Sequence, residues 1–259
     1  MVLSDIVGRE CGRRAKAPLW TVNAETMGLI KTLLRTNKRK RKLAARRAAP
    51  AMAAVTGLDW VGSGALKQRA YPSYEIYAEH QKAKLGKRDL SRYNQRFVGA
   101  LQPRLAALPL RPASTVLCLG ARSGAECEAF IRLGHFALGI DLNPGAENRY
   151  VVVGDFHHLQ FADRSVDVVY TNALDHAFDL KRIVAEVRRV LKDDGCFIAE
   201  IVDPALRGPG DFEATWWSSI DDVVAAIEQA GMKATGRTGF DYPWQGTQVV
   251  FTNNPTAVR

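Results

Sequence analysis

From residue 113 onwards, short apolar runs alternate with longer segments in which apolar residues recur every three or four positions. The short runs are apolar throughout, which is typical of strands buried on both faces, and the longer segments are typical of amphipathic helices. This alternation indicates a parallel sheet covered by helices. The predicted strands are 115–119, 136–140, 150–153, 167–171, 196–202, 233–240 and 247–252, and the predicted helices are 124–133, 179–191 and 219–231.

The last two predicted strands are joined by the turn-rich stretch FDYPWQG, which indicates a hairpin connection. The last strand is therefore predicted to run antiparallel to its neighbour. For residues 113–259 we expect an α/β domain with a seven-stranded, mostly parallel sheet, helices on both faces and an antiparallel last strand.

The segment before this domain, residues 51–112, is predicted to be a helical extension. Its first part, residues 56–72, is rich in glycine and is interpreted as a loop. Apolar residues at helical spacing follow, and Pro103 is expected to kink or divide the helix that contains them. The residues on the shared face of that helix are Phe97, Leu101, Leu105 and Leu108.

The excess positive charge lies in the first 50 residues. Residues 1–50 carry 13 Lys and Arg against 3 Asp and Glu, whereas the remaining 209 residues carry 23 against 24. We expect a flexible, solvated arm, with contact of residues 28–47 to an anionic membrane surface or to a nucleic acid as alternatives. Both Met1 and Met27 are candidate starts of translation.

Several classes of protein do not fit the composition. No apolar run reaches the roughly 18 residues of a membrane span, and the N-terminus lacks the apolar region of a secretory signal. The four cysteines show no C-x-x-C spacing, which favours free thiols in a reducing compartment over disulfides or metal ligands. We therefore expect a cytoplasmic protein without a metal site, with peripheral membrane contact as an alternative.

A glycine turn follows the first strand of the domain and leads into a helix. Its sequence, Gly120-Ala121-Arg122-Ser123-Gly124, matches neither the dinucleotide fingerprint G-x-G-x-x-G nor a P-loop. The glycines allow the backbone to approach a ligand closely, and the N–H groups of a helix start favour an anionic group. Asp141 ends the second strand, where a carboxylate accepts hydrogen bonds from ribose hydroxyls. The turn and Asp141 together predict a nucleoside-like cofactor.

With Asp155 after the third strand and the stretch SVDVVYTNALDHAFDLKRIVAEVRRVLKDDGCFIAE, the chain resembles the class I S-adenosylmethionine (SAM)-dependent methyltransferases, in particular the type 11-like group. The resemblance runs from about Thr115 to Phe251. It implies a Rossmann-like fold, SAM as the cofactor and N-terminal helices that form a lid over the acceptor. The implied cofactor contacts are Gly120, Ala121, Arg122 and Gly124 at the methionine moiety, Asp141 with Leu142 at the ribose, Asp155 with Phe156 at the adenine, and Asn172 at the cofactor or acceptor.

Two residues depart from the pattern of that family. Cys118 stands where the family has an acid, and Arg122 stands where it has the middle glycine of its loop. The turn is still expected to hold SAM, with altered contacts to the methionine end. Arg122 is predicted either to reach the methionine carboxylate or to pair with Glu126.

A hydroxyl acceptor needs a base to remove its proton. His176 lies after the fourth strand, at the sheet edge where such folds place their chemistry, and is the first candidate, with Asp175 to orient it. Asp203, at the end of the fifth strand, is the second candidate. A role of His176 in capping the next helix or in a hydrogen bond to the backbone is the alternative. Aromatic residues near this edge are predicted either to stack on a sugar or base or to pack in the core: Trp216, Trp217, Tyr242 and Trp244.

These features predict a SAM-dependent methyltransferase that acts on a small or medium acceptor, with O-methylation of a saccharide or surface glycan as the favoured reaction. An RNA methyltransferase that uses the basic arm is one alternative. A non-catalytic SAM-binding or scaffolding protein is the other, because Cys118 and Arg122 depart from the family pattern.

Overall fold

The computed structural model describes residues 55, 58–62, 64–84, 90–145 and 148–253. The basic arm, its predicted contact segment 28–47 and the two candidate start residues lie outside the described residues. Among the described helices, none is long and apolar enough to cross a membrane.

A seven-stranded sheet with the order β5-β4-β3-β6-β7-β10-β9 forms the centre of the described structure. β10 is antiparallel to both of its neighbours, and the pairs from β5 to β7 are parallel, which confirms the predicted mostly parallel sheet with an antiparallel last strand. The strands are β3 (Thr115–Leu119), β4 (Phe136–Asp141), β5 (Val151–Val153), β6 (Val166–Thr171), β7 (Leu191–Val202), β9 (Lys233–Phe240) and β10 (Gly246–Thr252).

The helices pack on the two faces of this sheet through their apolar stripes. In α4, the five residues Leu180, Ile183, Val184, Val187 and Val190 are buried, at the helical spacing of the sequence. The helices are α1 (Tyr74–Ala83), α2 (Ser91–Ala106), α3 (Ala125–Arg132), α4 (Leu180–Val190) and α5 (Ile220–Gln229), and a single 3-10 turn covers Leu174–His176.

The glycine-rich stretch 56–72, which was predicted to be a loop, contains two short strands, β1 (Trp60–Val61) and β2 (Leu66–Arg69). β2 pairs antiparallel with β8 (Thr215–Trp217), so these three strands form a second, small sheet. The loop prediction for 56–72 was wrong here because β2 is stabilised by a partner about 150 residues away, which leaves no local pattern. Helix α2 continues through Pro103 to Ala106, so the proline does not divide it.

Helix α2 is attached to the sheet by a buried ion pair as well as by apolar contacts. Phe97, Leu101 and Leu105 belong to the same buried cluster as residues of β3, β6 and β7. Arg104 donates from Nε and Nη2 to the two carboxylate oxygens of Glu200 at 2.9 and 3.0 Å, and the Glu200 side chain is fully buried. This two-point contact fixes the orientation of α2 against β7.

We expect Arg104→Met to lower the free energy of unfolding by about 3 kcal/mol, because the substitution leaves the Glu200 carboxylate buried without its cation. Urea unfolding followed by circular dichroism measures the change. In the double variant Arg104→Met/Glu200→Gln, part of this loss should be recovered.

The matched control is Arg132→Met, which breaks an exposed pair with Glu128 and should cost less than about 0.5 kcal/mol. A loss for Arg104→Met as small as that of the control would contradict the proposed importance of the buried pair.

Candidate functional site

A cavity of about 290 Å³ lies at the carboxyl ends of β3, β4 and β6. Open parallel sheets place their ligands at this edge. The glycine turn and the β4 end form one wall, and α1 and α2 contribute Tyr77, Lys84 and Tyr93 from the other side. The N-terminal helices therefore contribute to the lining of the cavity.

The glycine turn is held to the end of β4 by Asp141. Its Oδ2 accepts a hydrogen bond from the backbone N–H of Arg122 at 2.9 Å, and its Oδ1 accepts one from Asn143 at 2.8 Å. At Gly120, φ is +66°, and a Cβ there would lie 2.8 Å from the Cβ of Ala173. The turn therefore brings bare backbone to the cavity, which fits a ligand that approaches the main chain closely.

Of the twelve catalytic and cofactor-contact residues predicted from the sequence, eight line this cavity and four do not. Two of the four belong to the glycine turn: Ala121 is buried, and Gly124 is the N-cap residue of α3, with a φ of +82°. Asp155 and Asp203 also lie outside the lining. The eight lining residues are Gly120, Arg122, Asp141, Leu142, Phe156, Asn172, Asp175 and His176.

The Asp155 carboxylate joins helix α1 to the sheet edge. Oδ2 accepts a hydrogen bond from the Tyr74 hydroxyl, and Oδ1 accepts one from the backbone N–H of His157 at 2.8 Å. The His157 ring also contacts Oδ1, at 2.9 Å. Burial raises the pKa of Asp155, but the hydrogen bonds from His157 and Tyr74 outweigh it and lower that pKa to about 2. Its predicted contact with an adenine ring stays a prediction.

Asp203 lies at a separate surface groove, together with Ser218 and Arg237. Its Oδ1 accepts a hydrogen bond from the backbone N–H of Ala205 at 2.9 Å, so it closes the turn after β7. The structure does not bring this second candidate base together with His176.

Both ring nitrogens of His176 have partners. Nδ1 lies 2.9 Å from the Phe212 carbonyl, which can only accept, so Nδ1 carries the proton and Nε2 is left as an acceptor. Nε2 contacts Nζ of Lys84. Burial, followed by the positive charge of Lys84, lowers the pKa of His176 to about 3. A neutral His176 therefore orients Lys84, and it is a weak base at neutral pH.

Lys84 is a lining residue that the sequence analysis missed. Burial, followed by the charge of Arg122, lowers its pKa to about 8. It lies at the end of α1, 92 positions before His176, so no local motif connects the two residues.

Three side chains have ligand-type oxygen or nitrogen atoms that all lie within 4.8 Å of one another, as metal ligands do: Asp175, His176 and Glu213. However, cations of the chain already contact this group. Lys84 contacts His176, and Arg207 lies 2.7 Å from Glu213 and 3.6 Å from Asp175. The cluster is therefore a network of compensated charges.

Glu126, in the first turn of α3, is a second lining residue that the sequence analysis did not assign to the site. Its side chain is buried, and Oε1 accepts a hydrogen bond from the Asn172 amide at 3.2 Å. Burial raises the pKa of Glu126 to about 7. The predicted pairing of Glu126 with Arg122 is not seen: within the described residues the Arg122 guanidinium makes no hydrogen bond or ion pair.

The aromatic residues near the carboxyl edge of the sheet were predicted either to contact a ligand or to pack in the core, and they do not all lie at the cavity. Trp216 and Trp217 are buried and stack on each other, with ring centroids 5.4 Å apart. Trp217 and Trp244 line the cavity, whereas Trp216 and Tyr242 do not. The indole N–H of Trp244 is buried and has no partner within the described structure.

Comparisons with known proteins agree with this architecture. Residues 117–199 match the family model described as a methyltransferase domain. The chain is 35% identical over 108 residues to demethylmenaquinone methyltransferase of Thermobifida fusca, which covers 36% of this chain and 46% of that protein. It is 33% identical over 110 residues to malonyl-[acyl-carrier protein] O-methyltransferase 1 of Coxiella burnetii, with 40% and 39% covered.

Among solved structures, 1,6-didemethyltoxoflavin-N1-methyltransferase of Burkholderia thailandensis, with 1,6-didemethyltoxoflavin and S-adenosylhomocysteine bound, shares the fold. The TM-score is 0.55 at 16% identity, over 74% of this chain and 98% of that one. The chain spans less than two thirds of the length of each curated relative that it matches.

We expect the stability of the free protein to reflect the buried Glu126 carboxyl. Because its pKa rises from 4.5 to about 7 on folding, the folded chain keeps a proton that the unfolded chain has released between these pH values. The wild type should therefore lose up to about 3 kcal/mol relative to Glu126→Gln as the pH rises through this window.

Urea unfolding of both proteins at pH 5 and pH 8 measures this difference. All other titrations are shared by the two proteins and cancel in the comparison. A difference in stability that is the same at both pH values would contradict the burial of an ionisable Glu126.

Proposed function

Because the chain belongs to the class I SAM-dependent methyltransferases, with SAM as its cofactor, we propose that it methylates a hydroxyl group of a neutral small or medium-sized acceptor. A saccharide or surface glycan is the acceptor class that we favour. The observation that carries this proposal is the buried amine of Lys84, which lies in the cavity and is oriented by His176.

The residues of the cavity fit the cofactor. Bare backbone at Gly120 and the carboxylate of Asp141 suit the close approach of a nucleoside, with Phe156 and Leu142 as apolar surfaces beside it. In our proposal Asp141 accepts hydrogen bonds from the ribose hydroxyls in addition to those from the turn. When bound, SAM supplies a methyl group on a positively charged sulfur.

The charges of the cavity support a neutral acceptor. Among the described lining residues there are three cations, Lys84, Arg122 and Arg207, and the partner of Glu200, Arg104, adds a fourth. The five lining carboxylates are Glu126, Asp141, Asp175, Glu200 and Glu213. With Lys84 protonated the formal charge is thus one negative unit, and with the neutral Lys84 amine that the reaction needs it is two. The single net positive charge of SAM is therefore fully compensated, and no positive charge is left for an anionic acceptor.

In the proposed reaction Lys84 acts as the base and His176 is a positioning residue. The neutral Lys84 amine donates one N–H to Nε2 of His176 and accepts the hydroxyl proton of the acceptor with its lone pair. As that proton moves to Nζ, the acceptor oxygen would gain the methyl group that SAM supplies, and S-adenosylhomocysteine would be the second product. This assignment replaces the predicted role of His176, because His176 has no free nitrogen.

Aromatic side chains support a sugar as the favoured acceptor. Trp244 lines the cavity and is half-buried, and an indole face stacks on the C–H face of a pyranose.

A methyl-transfer assay tests this proposal. The full chain is incubated with SAM carrying a labelled methyl group and with lysate separated into glycan, lipid, RNA and small-molecule pools. We expect label in the glycan or small-molecule pool. The Asp141→Ala variant is the control: through lost hydrogen bonds it should bind S-adenosylhomocysteine about thirtyfold more weakly, and its label should fall accordingly.

Label in the RNA pool would instead support the RNA methyltransferase, with the basic arm as the phosphate contact. Binding of S-adenosylhomocysteine without label in any pool would support the non-catalytic protein.

We expect Lys84→Met to lower the rate of methyl transfer by about a hundredfold or more and to leave the affinity for S-adenosylhomocysteine unchanged. The wild-type rate should rise with pH up to about 8, because the amine must lose its proton to act as a base. Initial rates between pH 6 and 9.5, measured with the labelled pool, test both expectations. Lys84→Arg is the matched variant: it keeps the positive charge and should be as slow as Lys84→Met. A fast Lys84→Arg enzyme would contradict the role of Lys84 as a base.

A further inference from the structure

Glu126 is a buried carboxylate without a cation in ion-pair contact. Burial raises its pKa, and the charge of Arg122 offsets only part of that rise. Its Oε1 accepts one hydrogen bond from the Asn172 amide, and within the described structure no Lys, Arg or His lies in ion-pair contact with it. Its side chain lines the cavity. An ionised carboxylate is costly to bury unless a cation compensates it. The arrangement therefore leaves the Glu126 carboxylate without a cation in direct contact among the described residues.

Arg122 is a cation without a carboxylate in ion-pair contact among the described residues. Its backbone has a φ of +46°, a conformation that disfavours residues other than glycine by roughly 1 kcal/mol or more. Arg122 lines the cavity, and its guanidinium has no hydrogen bond or ion pair with any described residue. A strained arginine whose guanidinium has no contact partner among the described residues points to an anionic ligand that the guanidinium contacts.

Cys118 cannot take the place of either group. It is fully buried in β3 with Cys127 beside it, and burial keeps the pKa of its thiol well above the usual range. A neutral thiol in this position offers neither a charge nor a strong acceptor to the cavity. The negative group of this end of the site has to come from another element.

We propose that Glu126 and Arg122 together bind the amino-acid end of SAM, with Glu126 accepting hydrogen bonds from the α-ammonium and Arg122 donating to the α-carboxylate. Asn172 holds the Glu126 carboxylate in place. This arrangement moves the acid of the site from the end of β3, where Cys118 stands, to the first turn of α3. The inference deepens the proposed function and rests on SAM as the cofactor, but it does not depend on the acceptor or on Lys84.

This inference makes the cavity selective for cofactors that carry both charged groups. S-adenosylhomocysteine has the α-ammonium and the α-carboxylate, whereas 5′-methylthioadenosine has the same nucleoside and sulfur without them. The affinity difference between these two compounds therefore isolates the contribution of Glu126 and Arg122 from that of the nucleoside pocket.

Isothermal titration calorimetry of the full chain with both compounds tests the inference. We expect Glu126→Gln and Arg122→Gly each to weaken S-adenosylhomocysteine binding by about tenfold or more. The affinity for 5′-methylthioadenosine should stay within about twofold. Arg122→Gly removes the guanidinium and also relieves the positive φ, so loss of folding does not explain a weaker complex.

Two variants serve as controls. Asp141→Ala should weaken both compounds, because it removes the proposed acceptor for the ribose hydroxyls that they share. Arg132→Gln changes an exposed arginine of the same helix α3 outside the cavity and should affect neither.

The outcomes separate this inference from the proposed function. Equal losses for the two compounds in Glu126→Gln and Arg122→Gly, or no loss for either, would overturn the inference while leaving the nucleoside site in place. Failure of the wild type to bind either compound would overturn both. If the calorimetry gives the expected losses but the methyl label appears in the RNA pool, only the proposed acceptor is overturned.

Discussion

The carboxylate of Asp141 is the contact on which the cavity depends. It ends β4 and receives backbone N–H groups from both sides, from Arg122 in the glycine turn and from Asn143 in the following loop. These hydrogen bonds fix two loops at one edge of the sheet. The close approach of Gly120 to Ala173, the positive φ of Arg122 and the start of α3 all follow from the resulting path of the chain.

The central part of the fold could be predicted because its signals are local. Strands such as Thr115–Leu119 are buried on both faces and read as continuous apolar runs, and Asp141 is recognisable from its place at a strand end. The contacts that the sequence did not reveal are long-range. Lys84 meets His176 across 92 positions, β2 pairs with β8, and Asp155 is engaged by Tyr74 of α1. A single sequence carries no pattern for these pairings, because each depends on how the N-terminal segment lies over the sheet edge.

Charged side chains inside the cavity are arranged in compensated groups, with a small number of exceptions. Glu200 is neutralised by Arg104, and Arg207 lies between Asp175 and Glu213. Against this background, Glu126 and Arg122, like Asp141 and Lys84, have no ion pair with an oppositely charged side chain among the described residues, although the charge of Arg122 lowers the pKa of Glu126. Electrostatic compensation thus separates residues that complete the fold from residues that are available to a ligand, a distinction that neither residue type nor position in the sequence provides.

The pairing of β2 with β8 has a consequence for the order of assembly. Residues 66–68 cannot find their partners 215–217 until nearly the whole chain has been synthesised, and closing so long a loop is slow compared with forming a helix or a hairpin. The small sheet is therefore among the later contacts to form, after helices such as Leu180–Val190, whose hydrogen bonds are local.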